Sequence, residues 1–150
     1  MWGILIALLS GLLMSVQGVM NTGVTKQAGI WLSAGFVQIS AFVVCLVAYF
    51  ATGKGKISLL WSVSPKYMLL GGVIGAFITI TVIKSMEMLG PAKAVMLIVI
   101  MQIISAYVIE LLGLFGSEKA NFSWGKIIGA LIGIVGVVIF CLSGQNNTPK

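Results

Sequence analysis

One acidic side chain of this sequence, Glu110, falls well inside an apolar stretch, and Gln102 precedes it by eight residues. Eight residues make slightly more than two helical turns, so both side chains are expected on roughly the same face of a helix. A carboxyl group within a membrane span is a functional-site hypothesis by default, because a charge is costly there. Glu110 could bind a cation, take up a proton or pair with a lysine.

A second group of polar side chains marks the first apolar stretch. Its members follow one another at spacings of four, three and four residues, and they are Ser10, Met14, Gln17 and Asn21. These spacings place them on one face of a helix. Gln38 in the second stretch and Ser105 in the fourth add further polar groups. Because an unpaired amide is costly in hydrocarbon, we predict that these residues, Gln102 and Glu110 line a wet path for a solute; interhelical hydrogen bonding is the alternative, above all for Gln38.

The composition requires a membrane around these groups. Of the 150 residues, 59% are hydrophobic and 8% are charged, whereas soluble domains carry about 25% charged residues. Charge-free runs, flanking tryptophans and the Gly-Pro and Ser-Pro pairs predict five transmembrane helices, at about 2–21, 30–51, 66–88, 92–114 and 124–143. We expect one all-α domain over residues 1–144 and a polar tail at 145–150.

Several classes of function are disfavoured by what the sequence lacks. It contains no His, no Asp and no Arg, and its two cysteines, Cys45 and Cys141, stand alone in apolar runs. We therefore expect no metal site, no cofactor and no enzyme activity, since Glu110 has no evident acid–base partner for catalysis. The lysines stand singly between apolar runs, which indicates contact with lipid headgroups and not with nucleic acid.

The lysines divide almost evenly between the two membrane faces. With five spans, the N-terminal face carries five of them and the opposite face four; the five are Lys54, Lys56, Lys66, Lys119 and Lys126, and the four are Lys26, Lys84, Lys93 and Lys150. Orientation follows a clear excess of basic residues on the cytoplasmic side. We therefore predict insertion in both orientations and an antiparallel homodimer; the alternative is one orientation, set by the loop that carries Lys54, Lys56 and Lys66.

An antiparallel dimer would also offer Glu110 a partner. Counted at 1.5 Å per residue, Glu110 of one subunit would lie at nearly the depth of Lys84 of the partner subunit. This predicts an inter-subunit ion pair. Within one chain the alternatives are a pair between Glu110 and Lys126, and a Lys84 side chain that extends to the membrane surface beside Glu87.

Glycines recur mostly every fourth residue in two of the spans. They are Gly71 and Gly75 in the third span and Gly125, Gly129, Gly133 and Gly136 in the fifth. Small residues at this spacing let helix backbones approach closely. We predict that they pack helices, and that the fifth span pairs the subunits.

Several fragments, taken in order, resemble a known family. They are SVQGVMN in the first span, LLGGVIGAFI in the third and MQIISAYVIELLGLFG in the fourth, followed by a glycine-rich fifth span. Over essentially the whole chain they are similar to the five-helix YdcZ-type branch of the drug/metabolite transporter superfamily. The glutamine and acid of that family correspond to Gln102 and Glu110, although relatives more often carry Asp at the second position. The family's glutamine-to-asparagine stretch corresponds to Gln17 and Asn21.

The resemblance implies a half unit that pairs with an inverted copy in the bacterial cytoplasmic (inner) membrane. Together with the lysine distribution, it predicts a secondary transporter of a small solute or metabolite that works as a dual-topology homodimer by alternating access. The alternatives are an accessory or structural membrane protein, or one half of a heterodimeric transporter.

Overall fold

A computed structural model describes residues 1–53 and 55–143 of the chain. The regular elements of this part are all helical, and five helices are long and apolar enough to cross a membrane. These five are α1 (Trp2–Ala28), α2 (Ile30–Thr52), α4 (Gly71–Leu89), α5 (Pro91–Leu112) and α6 (Trp124–Ser143), and the span of α4 begins with the 3₁₀ turn at Lys66. A short helix, α3 (Ser58–Trp61), and a 3₁₀ turn at Lys66–Leu70 precede α4, and a second 3₁₀ turn at Leu114–Gly116 precedes α6. The all-helical class with five candidate transmembrane helices is confirmed. Lys54, Lys150 and the predicted tail at 145–150 lie outside the described residues.

The first helix is longer than the sequence indicates. It continues past residue 21 to Ala28, and Gly29 then separates it from α2. Gly29 has a φ of +84°, a conformation that glycine adopts without steric cost, and its N–H donates to the Thr25 carbonyl at 2.9 Å. The polar residues between 21 and 28 do not break a helix, so the first residue that does is Gly29 and not Asn21.

The chain divides into two compact units, Met1–Met88 and Leu89–Lys150. In the first unit, α1 packs on α2 and also approaches α4 closely at one point. Gly18 is buried there, and a Cβ added to it would lie 2.4 Å from Cε and 2.8 Å from Sδ of Met86. Ile83 of α4 is completely buried. Within the first unit, the absence of a side chain at Gly18 makes room for Met86.

In the second unit, α5 packs on α6, and Tyr107 fixes the start of α6. Its hydroxyl group accepts a hydrogen bond from the Ser123 N–H at 2.8 Å and donates one to the Ser123 carbonyl at 3.3 Å. Ser123 directly precedes α6, so its N–H has no helical partner, whereas its carbonyl also accepts a hydrogen bond from the Ile127 N–H at 3.4 Å. One side chain of α5 therefore satisfies two backbone groups at the beginning of α6.

We expect Tyr107→Phe to lower the free energy of unfolding by about 1–2 kcal/mol, because the Ser123 N–H loses its partner and the Ser123 carbonyl keeps only the bond from Ile127. A decrease of the thermal unfolding midpoint of the purified protein would measure it. Tyr49→Phe is the matched control, since the Tyr49 hydroxyl donates a single 3.3 Å bond to the Gly55 carbonyl at an exposed site. Equal shifts for the two variants would contradict the role of Tyr107.

The spanning helices bury few of their residues. In the most apolar 18-residue stretch of each helix, the buried share ranges from 0% in α5 to 11% in α2. Apolar side chains such as Phe36 and Leu131 are more than half exposed. Such helix surfaces need lipid or another copy of the chain around them.

Candidate functional site

Glu110 and Lys126 form an ion pair between α5 and α6. Oε2 of Glu110 lies 2.8 Å from Nζ of Lys126. The same Nζ lies 5.2 Å from the centre of the Tyr107 ring, within the range of a cation–π interaction. Tyr107 and Glu110 are three residues apart and therefore share one face of α5. The lysine cation of α6 thus contacts a carboxylate and an aromatic ring of the same helix.

The backbone around the pair explains how it is held. α5 ends at Leu112 and is followed by Gly113, whose φ of +64° is a left-handed conformation that favours glycine. The Glu110 carbonyl accepts hydrogen bonds from the N–H of Gly113 at 3.3 Å and of Ala120 at 2.9 Å. The loop between α5 and α6 therefore folds back on the residue that carries the carboxylate, and Lys126 follows in the first turn of α6.

The pair stands at one end of an apolar groove of about 600 Å³ between α5 and α6. Besides Tyr107, Glu110 and Lys126, the lining is aliphatic: Ile103, Ile104, Ala106, Val108, Ile127, Gly129, Ala130, Leu131 and Ile134. Gln102 and Ser105 lie outside this lining and are exposed. Of these three predicted path residues of α5, only Glu110 lines the groove.

A second groove, of about 700 Å³, lies between α1 and α2. Met14, Gln17 and Asn21 line it from α1, and the hydroxyl-bearing residues Ser33 and Ser40 line it from α2. The rest of its lining is apolar except for the thiol of Cys45. The structure therefore brings three members of the predicted stripe together in one groove.

Two other predicted path residues have partners outside the grooves. Ser10 donates to the Ile6 carbonyl at 2.9 Å, and it does not line the α1–α2 groove. Nε2 of Gln38 donates to Oγ1 of Thr79 at 3.4 Å, and Thr79 donates in turn to the Gly75 carbonyl. Gln38 thus makes the interhelical hydrogen bond that the sequence offered as its alternative.

Lys84, the lysine of the predicted inter-subunit pair, also has a partner in its own chain. Nζ of Lys84 lies 3.0 Å from Oε2 of Glu87, three residues further along α4. Within one chain, Lys84 therefore contacts Glu87 while Glu110 contacts Lys126. The pair between Glu110 and Lys84 of the partner subunit stays a prediction, and it would require both of these contacts to be exchanged.

Most of the predicted packing glycines face open space in the described protomer. A Cβ at Gly71, Gly129, Gly133 or Gly136 would meet no heavy atom within 4 Å. At Gly75 it would lie 3.8 Å from Nε2 of Gln38, and at Gly125 3.7 Å from Oγ of Ser123. Close packing occurs instead at Gly18. Subunit pairing through α6 stays a prediction.

Three residues of these sites carry no clear signal in the sequence. Tyr107 is a single aromatic residue in an apolar run, and Gly18 has no glycine four residues away on either side. Thr25 is buried, and its hydroxyl group has no partner among the described residues. Among these residues, only Tyr107 could have been linked to Glu110 from the sequence, because the two are three residues apart on one helix.

Five apolar helices with polar groups held in grooves between them define a multi-pass membrane protein. In residues 1–53 and 55–143, no three His, Cys, Asp or Glu side chains come together as a metal site would need. A family model described as "Putative inner membrane exporter, YdcZ" matches residues 2–139, and the chain belongs to this family. The suspected YdcZ-type family is thereby confirmed, and the protein is a multi-pass protein of the inner membrane. The description names export as the activity of the family. No curated protein and no solved structure matches the chain.

Proposed function

We propose that this protein is a secondary transporter that exports a small solute as a dual-topology antiparallel homodimer. The observation that carries the proposal is the placement of polar groups in two grooves of solute size, on helices that are otherwise apolar. Small-molecule sites are clefts of about 300–1,000 Å³ with few polar groups. The family description supports the direction of transport.

A second copy is favoured by the surfaces that one chain leaves uncovered. The spanning helices bury at most 11% of their most apolar stretches, and three glycines of α6 face open space. Because the lysines divide nearly evenly between the two membrane faces, an upright and an inverted copy should insert with similar ease. Two inverted copies could alternate between inward-open and outward-open states by rocking against each other.

The ion pair offers a way to couple this motion to protons. When Glu110 takes up a proton, it loses the charge that attracts Lys126, so the contact between α5 and α6 weakens. In this scheme Gln17 and Asn21 line the solute path in the α1–α2 groove, and Glu110 responds to the proton. A Glu110→Gln variant should transport without the pH dependence of the wild-type protein.

The test starts with a thermal-shift screen of the purified protein against metabolites. The solute selected by the screen is then followed into liposomes at several pH values, for the wild-type protein and for Glu110→Gln. Glu87→Gln is the control, because it removes the carboxylate of the other ion pair, which lies within α4. Full, pH-dependent transport by Glu110→Gln would rule out the coupling role, and the absence of any transported solute would speak against the function.

Cross-linking tests the predicted pairing through α6. The helix is centred between residues 133 and 134, so in an antiparallel pair residue 133 lies opposite its counterpart, whereas two copies of residue 129 are about 14 Å apart along the axis. In a background with Cys45 and Cys141 replaced by Ala, we expect Gly133→Cys to form disulfide dimers and Gly129→Cys to form few, since a disulfide needs Cα atoms within about 7 Å. A parallel pair would cross-link at both positions.

A further inference from the structure

The polar residues of α1 between Ser10 and Thr22 fall into two groups according to whether their side chains form hydrogen bonds within the chain. The hydroxyl groups of Ser10, Ser15 and Thr22 each donate to the carbonyl four residues earlier. The amides of Gln17 and Asn21 form no hydrogen bond with any described residue, and both line the α1–α2 groove. An unpaired amide within a bilayer is costly, so these two groups require a partner that is not part of the described chain.

That partner meets no charge in the groove. None of the residues that line it is charged. The acids of the described spans are compensated as well, Glu110 by Lys126 at 2.8 Å and Glu87 by Lys84 at 3.0 Å. A cation or an anion in the α1–α2 groove would therefore lose its hydration without gaining an opposite charge, which is strongly unfavourable.

We infer that the α1–α2 groove binds an uncharged solute that carries hydrogen-bond donors and acceptors, such as a carboxamide, next to an apolar body. Each side-chain amide offers one acceptor oxygen and two donor hydrogens, so Gln17 and Asn21 together complement a group that both donates and accepts. The Ser40 hydroxyl group donates to the Val37 carbonyl at 2.9 Å and can therefore accept a hydrogen bond from the solute, and Phe36, Val37 and Val44 provide apolar contact.

Other occupants fit the groove less well. A lipid chain would fill the apolar part but would leave both amides unpaired in hydrocarbon. A charged amphiphile would find no counter-ion in the lining. The inference names the substrate class for the transporter proposed above and rests on that function only in so far as the bound molecule is also the exported one.

Binding of three probes of nearly the same shape tests the inference: benzamide is neutral, benzamidinium is a cation and benzoate is an anion. Affinities are measured by saturation-transfer NMR on the purified full-length protein in lipid nanodiscs. We expect benzamide to bind on the order of tenfold more tightly than either ion, because the ions would be buried without compensation. Gln17→Leu and Asn21→Leu should each weaken benzamide binding by about two- to tenfold.

The control is Gln27→Leu, which makes the same chemical change on an exposed residue of α1 that does not line the groove. It should leave benzamide binding unchanged. Tighter binding of benzamidinium or benzoate than of benzamide would overturn the inference. So would an equal loss of benzamide affinity in all three variants, or the absence of benzamide binding because lipid or a second copy fills the groove. Selective benzamide binding without transport of any solute would support the inferred binding site and contradict the proposed transport function.

Discussion

Lys126→Glu is expected to reduce severalfold the amount of monodisperse protein that can be purified from membranes. The substitution places two carboxylates at the ends of α5 and α6, where the structure has a 2.8 Å ion pair, and like charges at this distance repel strongly outside bulk water. A loss of stability of this kind lowers the abundance of a membrane protein severalfold. Fluorescence-detected size-exclusion chromatography measures it directly.

Reversing both charges distinguishes the interaction between Glu110 and Lys126 from the effect of each substitution alone. The double variant Glu110→Lys, Lys126→Glu restores opposite charges and should recover most of the monodisperse protein. Lys119→Glu is the matched control, since Lys119 is an exposed lysine of the loop between α5 and α6 without an ion pair among the described residues. If the double variant yields as little monodisperse protein as Lys126→Glu alone, the direct ion pair is not what stabilises this end of the groove.

Gly18→Leu should lower the free energy of unfolding by about 2–3 kcal/mol, as expected for overpacking of a closely packed position. Even a single Cβ at this position would come within 2.8 Å of two terminal atoms of Met86, and both residues are buried. Gly18→Ala should cost much less, because the flexible end of Met86 can move aside and alanine favours the helix. Thermal unfolding of the purified protein distinguishes the two variants.

Gly11→Leu provides the comparison for this change on the same helix. A Cβ at Gly11 would meet no heavy atom within 4 Å, so the variant should unfold at or above the wild-type temperature. The rescue variant Gly18→Leu with Met86→Ala should regain part of the lost stability, because the shorter side chain vacates the space. If Gly11→Leu is as destabilising as Gly18→Leu, the effect comes from helix surface hydrophobicity and not from packing against α4.

The number and kind of the helices follow from the sequence because hydrocarbon leaves few choices. A chain with 8% charged residues must bury its backbone polar groups in helices, and the lysines mark where these helices reach water. The spacing of Met14, Gln17 and Asn21 likewise predicts a common face, because the helical repeat is fixed. Patterns that depend on one helix alone can thus be read from the sequence.

Contacts between helices could not be derived in the same way. Glu110 had two possible lysine partners, and the choice of Lys126 within the chain depends on how the loop returns to the Glu110 carbonyl. The glycine repeats of α6 suggested close packing, but within the protomer the close approach occurs at the isolated Gly18. Which face of a helix meets its neighbour is set by crossing geometry, and the sequence of one helix does not contain that information.

The even distribution of lysines is the property on which export by an inverted pair depends, and the orientation of the C-terminus tests it most directly. Two reporters are fused to the C-terminus in parallel, one that is active only in the cytoplasm and one that is active only outside it. Dual insertion predicts comparable activity from both fusions, and two lysines added to one face should shift all activity to a single reporter. Activity from only one reporter in the unmodified protein would contradict dual topology and with it the antiparallel homodimer.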